Sequence, residues 1–257
     1  MSTSVVLVLK SGSPVRPLPR ISSWGGGGFV LGQLVFDGGR GGPQRALLYG
    51  LPVLRCQTDP EGFWGERRLK RAGRSLCAGG AVRALVPAGF DHWPLLLKLG
   101  LRPVDPGAFL RAQAAPLAAT LLERQGLSPD RATVALRGRR ADGEMLRAAL
   151  ALCPRVRRLT ISAPQGGEEL AAWLRREYGL PILPADAPAQ AALLLQPGTE
   201  PEDANPCPAL TLFGPEPDLA GLRLSAPDLA PTDREDLPLL SALWEGGRLG
   251  PEQLKIT

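Results

Sequence analysis

The stretch "VALRGRRADGEMLRAAL", residues 134–150, decides the architecture of this chain. An apolar run, "VALR", passes through a short polar turn into a segment with helical character, so it reads as strand, turn and helix. The turn is unusual in its chemistry. It holds Arg137, Arg139 and Arg140 beside two glycines, Gly138 and Gly143.

Outward from this unit the same period continues. Strand "ATVALR" (132–137) leads to a helix over 142–152, then strand "VRRLTIS" (156–162) and helix "GGEELAAWLRREYG" (166–179). Short strands "PILP" (181–184) and "AALLLQ" (191–196) follow. Two consecutive strand–helix units with unbroken apolar strands predict parallel pairing, burial on both faces and right-handed crossovers. Upstream, "DPGAFLRAQAAPLAATLLERQG" (105–126) predicts one long helix bridging two subdomains. Asp105 is placed as its N-cap and Pro106 at its first position, Pro116 kinks it and Gly126 ends it. Downstream, an acidic, Pro-rich loop (197–208) precedes "ALTLF" (209–213) and "LRLS" (222–225), both expected as edge strands. A final helix is expected over 233–247, with Asp233 and Glu235 near its positive end.

The N-terminal part differs. "SVVLVL" (4–9), "FVLGQLVF" (29–36), "RALLYG" (45–50) and "LPVLRC" (51–56) succeed one another without helices, which predicts antiparallel pairing. Helix–strand alternation then begins with "GERRLKRAGRSLC" (65–77), "AVRALVP" (81–87), "DHWPLLLKLG" (91–100) and "LRPV" (101–104). The expected fold class is therefore α/β. A mostly parallel, Rossmann-like sheet with helices on both faces occupies residues 105–257, and a smaller β-rich α/β region, residues 1–104, precedes it.

Composition sets bounds on function. With 44% hydrophobic residues but 5% aromatic, the core must be built chiefly from Leu, Ala and Val. No basic leader stands before "VVLVL" (5–9), which is too short for a signal segment, and no window approaches the length of a membrane span. Cys56, Cys77, Cys153 and Cys207 are scattered, so they read as reduced thiols, and a cytoplasmic setting is expected. The net charge of +5 is unevenly spread: residues 1–160 carry 24 Lys+Arg against 10 Asp+Glu, whereas residues 161–257 carry 6 against 15. Such polarity either steers an anionic partner or joins complementary surfaces, within the chain or in a homo-oligomer.

Residues 105–196 resemble the NAD(P)-binding Rossmann-type domain of the shikimate dehydrogenase-like group. The likeness lies in element order, a smaller α/β domain first and then a helix leading into strand, turn and helix. The resemblance implies NAD(P) as cofactor, with its pyrophosphate over the turn that here reads "RGRRADG". In that group the turn carries G-x-G-x-x-G, which lets backbone N–H groups approach the pyrophosphate. Here only Gly138 and Gly143 stand in it, Arg139 and Arg140 add bulk, and the second strand ends in Ser162 and Ala163 rather than an acid. No matched position supplies the Lys and Asp of the group's catalytic pair.

The turn suggests a second chemistry. Free N–H groups at the start of helix 142–152 and the guanidinium groups of Arg137, Arg139 and Arg140, with Gly138 and Gly143 beside them, suit a small anionic, phosphate-bearing ligand in a cleft between the two parts. The alternative leaves those arginines solvated, or paired with Asp142, Glu144 or the acidic C-terminal part. Elsewhere, "SSWGGGGF" (22–29) lacks the Lys-Ser/Thr of a Walker A loop and reads as a connection rather than a phosphate cradle. His92, the single histidine, and its neighbour Asp91 are weak catalytic candidates for want of a nucleophile, and no metal-ligand spacing exists. Arg67, Lys70, Arg71 and Arg74 form one face of helix 65–77. That face would suit nucleic-acid phosphates, but no aromatic residue interleaves with the charges, which argues against nucleic acid as a partner. The chain thus reads as a non-enzymatic protein with a degenerate Rossmann-like domain that binds a small anion. The alternatives are an NAD(P)-dependent oxidoreductase with a divergent cofactor loop, or a nucleic-acid module using the basic N-terminal part.

Overall fold

The computed structural model describes residues 15–17, 31–36, 42–199 and 207–257. The strand expected at 4–9 and the glycine-rich segment 22–29 lie outside the described residues. The chain divides into two compact units, Met1–Pro103 and Val104–Thr257.

In the first unit the elements are β1 (Val15–Pro17), β2 (Leu31–Phe36), β3 (Gln44–Leu48), β4 (Leu51–Thr58), α1 (Gly65–Ala78), β5 (Arg83–Leu85), α2 (Trp93–Lys98) and β6 (Arg102–Pro103). They form one sheet in the order β1-β3-β4-β2-β5-β6. Strands β3 and β4 make an antiparallel hairpin whose turn, Tyr49 and Gly50, takes φ of 48° and 81°. Positive φ at both central residues matches the twist of the flanking strands. The antiparallel expectation holds for β3 and β4 and fails for β2, which runs parallel to β4 and β5; β1, where no strand was expected, pairs antiparallel with β3. The reason is placement: β4, not β3, lies beside β2, and α1 then carries the chain across to β5 on the other edge of β2. Leu69, Ala72 and Leu76 of α1 pack on Leu34, Leu54 and Cys56, which leaves the charged side of the helix to solvent.

The second unit comprises α3 (Gly107–Ala112), α4 (Ala114–Arg124), β7 (Thr133–Arg137), α5 (Gly143–Leu152), β8 (Arg158–Ser162), α6 (Gly167–Tyr178), β9 (Ile182–Leu183), β10 (Ala191–Leu194), β11 (Ala209–Thr211), β12 (Leu224–Ser225), α7 (Leu237–Glu245) and β13 (Lys255–Ile256). Five strands pair in the order β11-β10-β7-β8-β9. Every pairing among them is parallel. Counted from β7, that is the 3-2-1-4-5 arrangement of doubly wound folds. All residues of β7 and β10 are buried, so both faces of the sheet are covered. The fold is α/β and Rossmann-like.

Three expectations need correction. The long helix over 105–126 is two helices that meet at Gln113. Pro116 has no N–H and its ring crowds the carbonyl four residues back, that of Ala112, so the break falls one turn before the proline. Asp105 still accepts the Gly107 N–H at 2.8 Å. Residues 222–225 do not extend the main sheet, because β12 pairs with β13 in a separate antiparallel ribbon. The last helix is capped by Asp236, whose Oδ1 accepts the Leu239 N–H at 3.0 Å, rather than led by Asp233 and Glu235.

Gly65 opens α1 at a point with no spare room. A Cβ there would lie 1.7 Å from the backbone carbonyl oxygen of Pro60. Gly65→Ala must therefore push the 60–64 turn away from the helix. Urea unfolding is expected to register a loss of about 1–3 kcal/mol, the range for overpacked sites. A variant as stable as the parent would mean that the turn is not held in this position.

Candidate functional site

The strand order reverses between β7 and β10, so their carboxyl ends frame the crevice where open α/β sheets take ligands. Arg137 ends β7 and Gln196 lies just beyond β10. Between them the Gln196 side chain forms a clamp. Its Oε1 accepts the backbone N–H groups of Arg139 at 2.9 Å and Arg140 at 3.1 Å. Its Nε2 donates to the Arg140 carbonyl at 3.0 Å and to Asp142 Oδ2 at 2.7 Å. The orientation of the amide is forced by its partners, since one side meets only donors and the other only acceptors.

The opposite flank of the turn is equally tied. Gly138 N–H donates to the Ser162 carbonyl at 3.0 Å, Ala141 N–H to the Gln165 carbonyl at 2.7 Å, and Gln165 N–H to the Arg139 carbonyl at 3.3 Å. Residues 138–141 are thus strapped between the chain following β8 and the chain following β10. The helix start is engaged too. Asp142 Oδ1 accepts the N–H groups of Glu144 and Met145, each at 3.0 Å, so these first-turn donors of α5 are not open as the sequence suggested.

The two glycines of the turn differ in their surroundings. Neither has positive φ. A Cβ on Gly138 would come within 2.7 Å of Met145 Cε and 3.4 Å of the Gln196 amide, so the missing side chain makes room for helix α5 and the clamp. At Gly143 a Cβ would meet only Arg147 Nη1, at 3.8 Å.

The arginines divide by environment. Arg137 is buried, with 7% exposure, and its charge acts on the Cys207 thiol. Arg139 and Arg140 are exposed, and among the described residues neither guanidinium makes a hydrogen bond or an ion pair. Their expected acidic partners are engaged elsewhere. Glu144 pairs with Arg111 at 3.5 Å and with Arg147, and Arg111 also donates to the Leu212 carbonyl at 3.1 Å.

A dinucleotide held in the ordinary way does not fit these residues. Its pyrophosphate needs the loop N–H groups that Gln196 occupies, and its ribose needs an acid where β8 ends in Ser162. A guanidinium-held phosphate at Arg139 and Arg140 makes no such demand.

The catalytic candidates His92 and Asp91 belong to the first unit. His92 is exposed at the start of α2, with its ring edge-on to Phe90 at 5.9 Å. Asp91 is exposed beside it, and charged neighbours in the same depression are Glu66, Lys70, Arg74 and Lys98. Among the described residues the His92 ring has no hydrogen bond to a hydroxyl or thiol. All four cysteines are free, and burial pushes their thiols up, Cys153 to about 11, so none is poised as a thiolate at neutral pH. Arg137 partly offsets that rise at Cys207. Among the described residues no three His, Cys, Asp or Glu side chains form a metal cluster, and no helix is long and apolar enough to cross a membrane.

No family model matches the sequence, and no curated protein does. Among solved structures, L-tryptophan dehydrogenase from Nostoc punctiforme overlaps at a TM-score of 0.29 and 14% identity, over 56% of this chain and 44% of that one. The matched region is thus less than half of that protein. At a TM-score that low the overlap identifies neither a ligand nor a reaction.

Sequence reasoning missed Gln196, the residue that organises the crevice. Its only local signal is a polar side chain directly after an apolar strand. The partners that define its role stand 54 to 57 residues earlier, and no local spacing reports them. Gln196→Ala removes four hydrogen bonds and leaves the loop N–H groups to compete for water, so a loss of about 2 kcal/mol is expected in chemical denaturation. Gln196→Glu keeps the shape but faces Asp142 with a second carboxylate. It is expected to be at least as destabilising at pH 7, with part of the loss returning once acid protonates one of the pair. Parental stability in both variants would remove the clamp from the account.

Proposed function

We propose that this protein is a binding protein rather than an enzyme, and that its second unit takes a small phosphate-bearing ligand at the crevice between β7 and β10. The observation that carries this reading is the state of Arg139 and Arg140. Their backbone is fixed by Gln196 and Gln165, while their guanidinium groups project without a partner among the described residues. A fixed backbone lowers the entropy lost when two guanidinium groups converge on one phosphate. Guanidinium groups also meet phosphate oxygens in bidentate pairs, which need no help from loop amides.

This mode differs from that of the dinucleotide enzymes that share the strand order. Side chains replace the glycine-rich backbone as the anion grip, which favours a compact monophosphate over an extended pyrophosphate.

Thermal unfolding in the presence of inorganic phosphate, adenosine monophosphate, a hexose phosphate and NADH tests this directly. A phosphate-bearing probe at about ten times its Kd stabilises by about 1.4 kcal/mol, a rise in Tm of about 3–5 °C for a chain of this size. The rise should vanish in the Arg139→Ala/Arg140→Ala double variant while the Tm of the free protein stays unchanged. Equal shifts in parent and variant, or no shift with any probe, would overturn the proposal. Quenching of NADH fluorescence at micromolar protein would favour the oxidoreductase instead.

A further inference from the structure

The exposed face of α1 is the most strongly charged surface with no role so far. The first 103 residues hold 14 Lys+Arg against 5 Asp+Glu, and a compact share of that excess sits on this one helix. Arg67, Arg71 and Arg74 stand at i, i+4 and i+7, so they share one side within about two turns, or about 10 Å of axis. All three are exposed, and among the described residues none has an acidic partner. Lys70, by contrast, is held by Glu66 at 2.7 Å. A groove of about 760 Å³ runs along this side, bordered by Trp64, Arg67, Arg71 and Arg74.

Aromatic rings stand at the end of the same face. Phe63 is 91% exposed and Trp64 55%. The rings meet edge-on, with centroids 4.9 Å apart at 87°, and the Arg67 guanidinium lies over the Trp64 ring at 5.5 Å. They stand on a fixed turn rather than a loose loop. Arg68 reaches back from α1 to the Asp59 carbonyl at 3.1 Å, the Asp59 carboxylate at 3.3 Å and the Glu61 carbonyl, and Gly65 packs hard against Pro60. The sequence argument against nucleic acid rested on the lack of aromatics interleaved with the charges and of a helix-turn-helix or RRM signature. The rings are present, but they precede the charges in the chain instead of alternating with them.

We propose that this face binds single-stranded nucleic acid, with phosphates on Arg67, Arg71 and Arg74 and a base stacked on the Phe63 ring. Guanidinium groups and exposed aromatic faces are the two parts from which sequence-tolerant single-strand sites are built. The charges alone would suit any polyanion. The rings select one with planar apolar groups between its phosphates. A membrane fits less well, because the apolar side of α1 is spent on the core of its own unit and two rings leave little surface to insert. A duplex fits less well too, because its bases are already stacked.

The test uses the full chain and a fluorescein-labelled oligothymidylate, read by anisotropy at about 50 mM salt. Binding is expected. Raising salt to about 200 mM should weaken it about 20-fold, as three phosphate contacts on a single strand require. Phe63→Ala/Trp64→Ala keeps every charge and should weaken binding about 10-fold or more through lost stacking. Arg67→Gln/Arg71→Gln/Arg74→Gln should abolish the salt dependence along with most of the affinity. Circular dichroism confirms the fold of each variant, and the aromatic pair tests the proposal even if the arginine variant is unstable. No binding by the parent, equal affinity for a duplex, or an unchanged affinity after loss of the rings would overturn it. So would binding to phosphatidylcholine vesicles containing one third phosphatidylserine in preference to the oligonucleotide.

Discussion

One side-chain amide sets the character of the second unit. In a doubly wound sheet the turn after the first strand offers converging N–H groups, and those groups must find acceptors. Dinucleotide enzymes meet the requirement with the ligand itself. Here the Gln196 oxygen meets it internally, and the Gln196 nitrogen closes the circuit on Arg140 and Asp142. A turn satisfied in this way needs no ligand to be rigid.

The consequence is a separation of backbone from side chain. The parallel sheet positions the turn, and Gln196 and Gln165 fix its path. Asp142 then caps α5 instead of leaving its start open. Among the described residues the guanidinium groups of Arg139 and Arg140 are left without a hydrogen bond or an ion pair. Positive charge there is not neutralised by the nearby acid, because Glu144 is drawn to Arg111 and Arg147. The first unit follows a similar logic on a different scaffold. Its core uses the apolar side of α1, and Arg68 pins the preceding turn, so the other arginines and two rings are presented outward.

The sequence was most informative where the pattern was local and periodic. Continuous apolar strands alternating with helices located the parallel sheet, because burial on both faces leaves that signature in every strand. The strand sequence 29–36 was legible as a strand but not in its direction, since pairing depends on which later strand lies beside it. The break at Gln113 was misplaced because a proline acts on the carbonyl four residues earlier, not on its own position. At the crevice, the arginines and the loss of the glycine fingerprint were visible in residues 137–143. Gln196 was not, because its meaning depends on β10 lying next to β7. Phe63 and Trp64 were visible as letters, yet their exposure depends on the Gly65–Pro60 contact and on Arg68, which only the fold brings together.

Amide hydrogen exchange at Arg139 and Arg140, followed by NMR on the ligand-free protein, tests the central claim most directly. Both amides sit on an exposed turn, where exchange would ordinarily be fast, so a hydrogen bond to Gln196 must appear as protection. The account predicts slow exchange at both positions in the parent protein and fast exchange at both in Gln196→Ala, with the central amides of β7 still protected. Fast exchange at either position in the parent, or protection that survives the loss of the Gln196 side chain, would contradict it.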